Sequence, residues 1–391
     1  MKHAILFLAV AACVDHRDGV TGTQSIAVEL VAPTDPGTID DRLPDTARTV
    51  TMNLTAMDAD NNMDPTYTAD LQVFVNFLGT LTPPLGALQP LATFHVENGV
   101  AMNQTVMLPP VFGQATVWMS DDQDDNATYA TGTSPTLWFR DPVISDVQTP
   151  HSETALDALQ ASPLQNKNID VSASRYGANG RLVVTSIFAQ GYTVQDMNCS
   201  NAAGDPPCTT DPYDSIEIFS YSAPEDQHSL LLAEGECITG FRGGVSEFNG
   251  LTEVGFPESF TDDQTVNTMR EPPPVKLDPT TWFQPLSNPD GEINFERWEA
   301  AAIEIDNGVM CALDDDYTTY KQWKIAPGGD CSATKQLINI ITAGVIADLD
   351  PTTIPTGAVL PKVVGILRPV SIGSFNVWII YPRRDADLTL Q

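Results

Sequence analysis

The densest combination of aromatic rings and positive charge in this chain lies in the segment YTTYKQWK. Aromatic rings stack on bases and sugar rings, and lysine side chains reach phosphate groups. The candidate ligand-binding residues are therefore Tyr317, Tyr320, Lys321, Trp323 and Lys324. The alternative is that some of these rings enter a protein core and others pair across strands. The aspartates Asp314 to Asp316, directly before the segment, oppose nucleic acid and favour a glycan or a peptide as the ligand.

A second pattern with chemical potential is D-x-D-x-N-x-D, formed by Asp58, Asp60, Asn62 and Asp64. It matches the early positions of a calcium loop, in which oxygen ligands converge on one hard cation. An EF-hand is excluded, because Met63 replaces its glycine and Ala69 its bidentate glutamate. Calcium bound in a loop of a β-sandwich and a solvated turn are the two alternatives. They apply equally to Asp121, Asp122, Asp124 and Asp125, and to Asp314 to Asp316.

Motifs for catalysis are absent from the sequence. It contains no HExxH, no GxSxG, no GxxxxGK[ST] and no paired cysteine spacing typical of zinc. A nucleophile needs an adjacent base and a third group that orients the base, and no such set is recognisable. We therefore expect a protein that is not an enzyme and that needs no cofactor other than, as one alternative, Ca²⁺.

A repeated β-hairpin organises the second half of the chain. ITGFRGGVSEFNGLTEVGFP (Ile238 to Pro257) recurs as VVGILRPVSIGSFNVWIIYP (Val363 to Pro382), with Gly, Val-Ser and the final Pro at a common offset of 125. Alternating apolar residues on both sides of an Asn-Gly or Gly-Ser turn indicate a β-hairpin with one buried face. The same β-module is therefore predicted twice.

Strand and turn patterns predict an all-β protein with three folded parts. Regularly spaced short strands over 24–150 favour a β-sandwich. Five strands and a closing hairpin predict a small closed barrel at 166–258 and another at 291–391. The proline-rich stretch 259–290 is expected to link them, with Trp282 and Phe283 packed on a barrel.

Two family resemblances accompany this organisation. VTMNLTAMDADNNMDPTY (Val50 to Tyr67) resembles part of bacterial immunoglobulin-like surface domains. FERWEAAAIEIDNGVMC (Phe295 to Cys311) and GGVSEFNGLTEVGFP (Gly243 to Pro257) resemble the first and last strands of OB-fold modules in secreted bacterial nucleases and envelope lipoproteins. Because nothing here has the size of the nucleases' catalytic domain, the resemblance implies binding or spacer modules without the chemistry.

The N-terminus has the pattern of an export signal. MKHAILFLAVAAC places Lys2 before an apolar stretch, Ala4 to Ala12, which is too short to span a bilayer and predicts a signal peptide over 1–12. Val10 to Cys13 resembles the lipobox of bacterial lipoproteins. This resemblance implies that Cys13 is acylated and begins a lipid-anchored tether over 13–23; an ordinary signal peptide is the alternative. Val14 after Cys13 favours the outer membrane, by resemblance to enterobacterial sorting.

The remaining cysteines fit an exported protein, in which disulfides persist. Cys199 pairs most simply with Cys208 across a turn-rich insertion, and Cys311 with Cys331 across one hairpin. Cys237 is then left over, and an odd count also allows another pairing.

The net charge is -32, from 19 Lys and Arg against 51 Asp and Glu. Such a surface repels phosphate backbones, so duplex nucleic acid and anionic membrane surfaces are poor ligands. We expect a non-enzymatic lipoprotein of a bacterial cell envelope with a structural, adhesion or ligand-binding role towards an envelope protein or a glycan. The alternative is an accessory OB-fold subunit of a secreted nuclease or other hydrolase that contacts single-stranded nucleic acid. That alternative predicts Tyr320, Trp323 and Lys324 exposed together on one barrel face.

Overall fold

The computed structural model describes residues 22–44, 48–80, 89–121, 130–150, 161–262, 265–283, 289–333, 336–343, 345–346, 349–372 and 375–390. The chain divides into two compact units, Met1–Phe77 with Pro84–Arg140 and Leu78–Pro83 with Asp141–Gln391. The second unit thus begins before the boundary expected at 150. The leader 1–12, Cys13 and most of the tether lie outside the described residues.

The strands before residue 140 are β1 (Ser25–Ala32), β2 (Thr49–Met57), β3 (Ala69–Phe77), β4 (Gly79–Thr80), β5 (Ala92–Val96), β6 (Val100–Met107), β7 (Gln114–Ser120), β8 (Thr131–Thr133) and β9 (Leu137–Trp138). All except β4 form one sheet in the first unit, ordered β5-β3-β7-β8-β1-β2-β6, with β9 beside β7. Side chains alternate between its faces. In β2, for example, Val50, Met52 and Leu54 are fully buried and help to form the core.

The immunoglobulin-like arrangement expected for this unit is not confirmed. Its strands follow one hydrogen-bonded path, because the short strand β8 pairs antiparallel with β7 and parallel with β1. A sandwich of this family would keep two separate sheets. The first unit is therefore described as an eight-stranded, barrel-like sheet.

The first barrel of the second unit follows the short helix α1 (Ile144–Gln148). Its strands are β10 (Lys167–Val171), β11 (Gly180–Phe188), β12 (Gly191–Asn198), β13 (Ser215–Phe219), β14 (Cys237–Ile238), β15 (Gly240–Phe248) and β16 (Leu251–Phe260). The sheet order is β14-β11-β12-β13-β16-β15-β10-β4, and β13 and β16 run parallel. In this order β10, paired with β15, and β11, paired with β12, stand near opposite ends of the sheet. Because β10 and β11 are consecutive in the chain, these two ends lie close together and the sheet is nearly closed.

The second barrel repeats this arrangement. Its elements are β17 (Val275–Lys276), α2 (Pro279–Trp282), α3 (Pro289–Arg297), β18 (Ala302–Met310), α4 (Asp315–Tyr320), β19 (Gln322–Ala326), β20 (Ile338–Ile341), β21 (Val359–Ile372), β22 (Phe375–Tyr381) and β23 (Leu388–Thr389). The order is β17-β18-β19-β20-β22-β21-β23; β18 also pairs with β21, and β20 and β22 run parallel. In addition to these strands and helices, short 3-10 turns lie at Gly177–Asn179, Thr268–Arg270, Pro351–Thr353 and Asp385–Asp387.

One sequence-based assignment changes in this barrel. The segment expected to be its first strand begins instead in α3, which ends at Arg297, so β18 starts only at Ala302. Phe295 is buried there and stacks on Trp378, with ring centroids 5.4 Å apart. The proline-rich stretch also packs on the barrel as expected, because Leu277 and Trp282 are buried in its core.

The repeated segments form hairpins, as predicted. β15 and β16 are joined by Asn249 and Gly250, whose φ angles are 53° and 85°. Two consecutive positive φ angles are the requirement of the tight hairpin turn that favours Asn-Gly. β21 and β22 pair in the same way, although their turn at 373–374 lies outside the described residues.

Charged residues join the two barrels. Arg368 of β21 forms an ion pair with the fully buried Glu217 of β13, and its guanidinium lies 5.2 Å from the Phe188 ring centre and 5.0 Å from that of Tyr381. We call this contact, with the Glu299 contact described next, the barrel joint. Burial raises the pKa of Glu217 to about 7, although the charge of Arg368 lowers it.

Glu299 forms the other half of the barrel joint. Its Oε1 accepts hydrogen bonds from Thr252 N at 3.0 Å and from Gln148 Nε2 at 3.4 Å, whereas its buried Oε2 has no hydrogen-bond partner among the described residues. Burial, together with the charges of Glu296 and Glu247, raises the pKa of Glu299 well above the ordinary value. A carboxyl group is thus enclosed between the barrels without a cationic partner among the residues that affect it.

Arg383 and Arg384 connect the barrels at another point. Arg383 donates to Thr185 O at 2.7 Å and pairs with Glu271 at 2.9 Å. Arg384 pairs with Glu271 at 2.7 Å and with Glu234 at 3.3 Å. These contacts link the second barrel to the first barrel and to the intervening stretch.

Candidate functional site

The predicted ligand-binding segment does not form one exposed face. Its residues lie on two elements, with Tyr317 and Tyr320 on α4, Lys321 at its C-terminal cap, and Trp323 and Lys324 in β19. The side chain of Trp323 is only 1% exposed, lies in the core of the second barrel and donates from Nε1 to Thr342 Oγ1 at 3.3 Å. The prediction that Tyr320, Trp323 and Lys324 are exposed together is therefore wrong.

Both lysines of this segment also contact neighbouring side chains of the same chain. Lys324 Nζ lies 2.6 Å from Asp314 Oδ2 and 2.5 Å from Asp316 Oδ2. Burial alone would lower the pKa of Lys324, but these two carboxylates raise it overall. Lys321 Nζ lies 5.2 Å from the centre of the Tyr317 ring. Asp314 and Asp316 thus pair with Lys324, the last residue of the segment, and Asp314 also caps α4.

The D-x-D-x-N-x-D loop uses its carboxylates to shape its own backbone. Asp58 Oδ1 accepts from the backbone N–H groups of Asp60 and Asn62, both at 2.9 Å. Asp64 accepts instead from Thr66 and from the Thr23 hydroxyl, and these hydrogen bonds, those of Thr66 first, lower its pKa. The structure therefore engages Asp58 and Asp64 in separate networks and does not bring them together as cation ligands.

The other acidic patterns behave similarly where they are described. Asp121 accepts hydrogen bonds from the Tyr67 hydroxyl and from Ala130 N, both at 2.7 Å, whereas Asp122, Asp124 and Asp125 lie outside the described residues. Within the described ranges, no group of three or more His, Cys, Asp or Glu side chains is arranged to hold a metal ion.

The structure contains both local disulfides, Cys199–Cys208 in the first barrel and Cys311–Cys331 in the second. They indicate a protein that folds outside the cytoplasm. Cys237 packs against the small apolar cluster around Cys199 and Cys208. In the part of the chain that is described, helices are all too short or too polar to cross a bilayer.

A β-bulge in β16 creates a site that the sequence motifs did not indicate. Arg242 faces Glu258 and Gly244 faces Gly255, so Gly243 alone opposes two residues, Phe256 and Pro257. Phe256 takes φ 52° and is 77% exposed. Bulges redirect side chains, and a left-handed backbone costs a non-glycine residue about 1–2 kcal/mol. Gly243 permits the bulge, because a Cβ there would lie 2.7 Å from Gly255 O.

Two further aromatic residues extend this feature into a cluster. Tyr221 follows β13, takes φ 59° and is 58% exposed. Its ring centre lies 5.2 Å from that of Phe256 and 4.5 Å from that of Phe219. Because β13 and β16 are parallel neighbours, with Phe219 opposite Gly255, the C-terminal end of β13 lies beside the middle of β16 and the three rings come together. We call Phe219, Tyr221 and Phe256 the aromatic platform.

A pocket of about 220 Å³ lies beside the aromatic platform. Its lining consists mainly of hydroxyl and carboxylate side chains with two prolines, namely Tyr192, Ser220, Ser222, Ala223, Pro224, Glu225, Asp226, Pro257, Glu258 and Ser259. Ser220 and Ser222 flank Tyr221, and Pro257 and Glu258 follow Phe256 directly. The rings and the polar groups therefore belong to the same two chain segments.

Buried hydrogen bonds hold the pocket in shape. The hydroxyls of two lining residues, Tyr192 and Ser259, share a hydrogen bond of 2.7 Å, and burial raises the pKa of Tyr192. Asp226 Oδ1 accepts from the N–H groups of His228 and Leu230, and its Oδ2 accepts from the Thr261 hydroxyl. The loop after β13 is thus fastened to the end of β16 rather than left to close over the pocket.

The second barrel shows what happens when the equivalent ring is covered. Phe256 corresponds to Tyr381 and Gly243 to Arg368, at the repeat offset of 125. Tyr381 lies in a regular strand and is covered by the Arg368 guanidinium within the barrel joint. In the first barrel, Gly243 provides no side chain to cover Phe256, so the ring faces solvent.

Sequence reasoning missed this site because its signals are weak. Tyr221 in FSYSAP and Phe256 in VGFPES stand next to Ser and Pro residues that end strands, and no motif joins them. The one available signal was the repeat itself, in which Gly243 stands where the second copy has Arg368.

The arrangement can bind a small polar ring, since it offers aromatic faces for stacking and oxygen acceptors for hydroxyl groups. Comparison of the chain with protein-family models, with curated proteins and with solved structures found no match.

Proposed function

We propose that this chain is a non-enzymatic, lipid-anchored protein of a bacterial cell envelope that binds a glycan at the aromatic platform and its pocket. The exposed pair Tyr221 and Phe256 carries the proposal, because both rings are held out to solvent by strained backbone beside a polar pocket. Strain of this kind costs about 1–3 kcal/mol per residue and clusters at functional sites.

A glycan fits this chemistry better than nucleic acid does. The C–H faces of a sugar ring stack on aromatic rings, and its hydroxyl groups donate hydrogen bonds to serine and carboxylate oxygens. Nucleic acid would bring phosphates to a pocket lined by Glu225, Asp226 and Glu258, on a chain with a net charge of -32. The pocket volume of about 220 Å³ is below the range of drug-sized ligands and suits a single sugar ring of a longer chain.

Fold and location support the same proposal. In both barrels, the third strand of a three-stranded meander runs parallel to the last strand. The strand before the last one pairs with the strand that begins the barrel, β15 with β10 and β21 with β18. This is the strand order of OB-fold barrels, many of which bind oligosaccharides or oligonucleotides. The disulfides agree with export, and we propose that signal peptide 1–12 directs it and that acylated Cys13 anchors the chain to the outer membrane.

Glycan binding by the platform gives the first testable prediction. On a glycan array and in titration calorimetry, the chain from Val14 to Gln391 should bind at least one oligosaccharide saturably. Tyr221→Ala and Phe256→Ala should each weaken that binding about tenfold or more, since a stacked ring contributes about 1–3 kcal/mol.

Phe248→Ala is the matched control, because Phe248 is also an exposed aromatic residue, at 61%, but lies at the opposite end of the same hairpin. It should leave the affinity unchanged. Absence of binding to every glycan, or equal loss in all three variants, would refute the proposed site. Binding only to oligonucleotides in the same format would instead favour the nucleic-acid alternative.

A further inference from the structure

The charged side chains that line the pocket are all acidic. Glu225, Asp226 and Glu258 line it, whereas no lysine or arginine does. The guanidinium of Arg242 pairs with one of these residues, at 3.5 Å from Glu258 Oε2, and also lies 3.4 Å from Asp170 Oδ2. One positive charge is therefore shared between two carboxylates, and it is held over the Phe260 ring at 4.7 Å.

The three lining carboxylates differ in what they can offer to a ligand. Asp226 is buried and its oxygens hold the loop, so it contributes negative potential rather than a direct contact. Glu258 is half exposed and only partly compensated by Arg242. Glu225 is exposed and takes part in no ion pair among the described residues. Glu225 and Glu258 are thus the carboxylates that a ligand can reach.

The aromatic platform, like the pocket carboxylates, favours a positively charged ligand. The faces of aromatic rings carry negative potential and attract ammonium groups. A sugar ring that carries a protonated amine can stack on Tyr221 or Phe256 while its ammonium group donates charge-assisted hydrogen bonds to a pocket carboxylate. A neutral sugar gains only the stacking and the hydroxyl contacts, and a uronic acid or sulfated sugar is repelled.

From this geometry, and resting on the proposed glycan-binding function, we infer that the pocket selects glycans with unsubstituted, protonated amino sugars over their N-acetylated counterparts. The cavity and the exposed rings define where the sugar lies, and the two reachable carboxylates define which substituent it carries.

A matched pair of probes tests this inference. N-acetylated and fully deacetylated chitooligosaccharides of equal length have the same backbone and differ only in acetyl group against ammonium group. At about pH 6, where ordinary carboxylates are ionised, the deacetylated oligomer should bind about tenfold more tightly, which is the effect of one charge-assisted hydrogen bond. The preference should shrink in about 1 M salt, where charges are screened beyond roughly 3 Å.

Variants separate the pocket from the overall acidity of the chain. Glu225→Gln combined with Glu258→Gln should abolish the preference by weakening binding of the deacetylated oligomer far more than that of the N-acetylated oligomer, while Phe256→Ala weakens both. Glu97→Gln combined with Asp70→Asn is the charge-matched control on the first unit and should have no effect.

The outcomes distinguish this inference from the proposed function. Equal affinity for both oligomers, with loss in Tyr221→Ala, would overturn the amine preference and keep glycan binding. The inference would be overturned if the preference survived in the double variant Glu225→Gln with Glu258→Gln. It would also be overturned if pentalysine bound as tightly as the deacetylated oligomer and Phe256→Ala left that binding unchanged. Either result would show charge attraction without a site. If neither oligomer nor any other glycan binds, the proposed function fails together with it.

Discussion

Replacing Arg368 with alanine should lower the free energy of unfolding of the two-barrel unit by about 3–5 kcal/mol at about pH 8, because it leaves a buried carboxylate without its partner. Glu217 is fully buried, and within the described part of the chain its Oε2 already lacks a hydrogen-bond partner. The variant also loses the guanidinium contacts with the rings of Phe188 and Tyr381. Urea denaturation followed by fluorescence would measure the loss.

The pH dependence of this defect follows from the pKa of Glu217. That pKa is raised from 4.5 to about 7 in the folded protein, so the folded state binds the proton more tightly than the unfolded chain. Proton binding by Glu217 therefore contributes to the free energy of unfolding. This contribution is complete below the ordinary pKa and is lost as the pH rises towards 7. Without Arg368 the carboxylate is still less favourable, so the defect should be largest above pH 7 and smallest in acid.

A second substitution serves as the control for this mechanism. Arg368→Ala with Glu217→Gln removes the unpaired charge and should recover part of the lost stability at about pH 8, where ordinary carboxyl groups are ionised. Equal stability of the single and double variants over the whole pH range would show that Arg368 acts through packing alone.

Replacing Glu299 with glutamine should stabilise the same unit at neutral and alkaline pH. Glutamine keeps an oxygen that can accept from Thr252 N and Gln148 Nε2, but it removes the buried charge near Glu296 and Glu247. The native pKa of Glu299 is raised, so its burial costs about 1.4 kcal/mol for each pH unit above the ordinary pKa, until the native pKa is reached. The gain should therefore grow as the pH rises.

The measurement is the unfolding midpoint from about pH 5 to about pH 8, a range that begins just above the ordinary carboxyl pKa. The wild-type protein should lose stability across it, and Glu299→Gln should flatten the profile. Glu304→Gln is a suitable control, since Glu304 lies in β18 and already pairs with Lys276 at 3.1 Å. A Glu299→Gln profile that runs parallel to the wild type would exclude titration of Glu299 as the cause.

The fold could be predicted from sequence where its determinants are local. The hairpins follow from alternation and, in the first copy, from Asn249-Gly250, and the disulfides join cysteines that are close in the chain. The YTTYKQWK segment failed for a local reason as well. Asp314 caps a helix by accepting from Asp316 N, so Tyr317 and Tyr320 follow a helical spacing, and Trp323 takes an inward position of the next strand.

The candidate site was beyond sequence reasoning because it depends on pairing between distant segments. Tyr221 and Phe256 are neighbours only because β13 and β16 run parallel, and Phe256 faces solvent only because one extra residue enters β16 opposite Gly243. Alternation alone places Phe256 as an ordinary strand residue. A one-residue bulge leaves too small a mark on a hydrophobic pattern to be recognised before the register is known.

The two disulfides and the barrel joint stabilise different parts of the molecule, and different chemical conditions weaken them. Each disulfide closes a loop inside one barrel, whereas Arg368, Glu217 and Glu299 hold the barrels together without a covalent bond. A reductant therefore opens a loop inside each barrel and does not break the ion pair or the hydrogen bonds between them. Loss of protons from Glu217 and Glu299 as the pH rises weakens the contact and leaves the loops closed, so pH and redox state act on different parts of the same two-barrel unit.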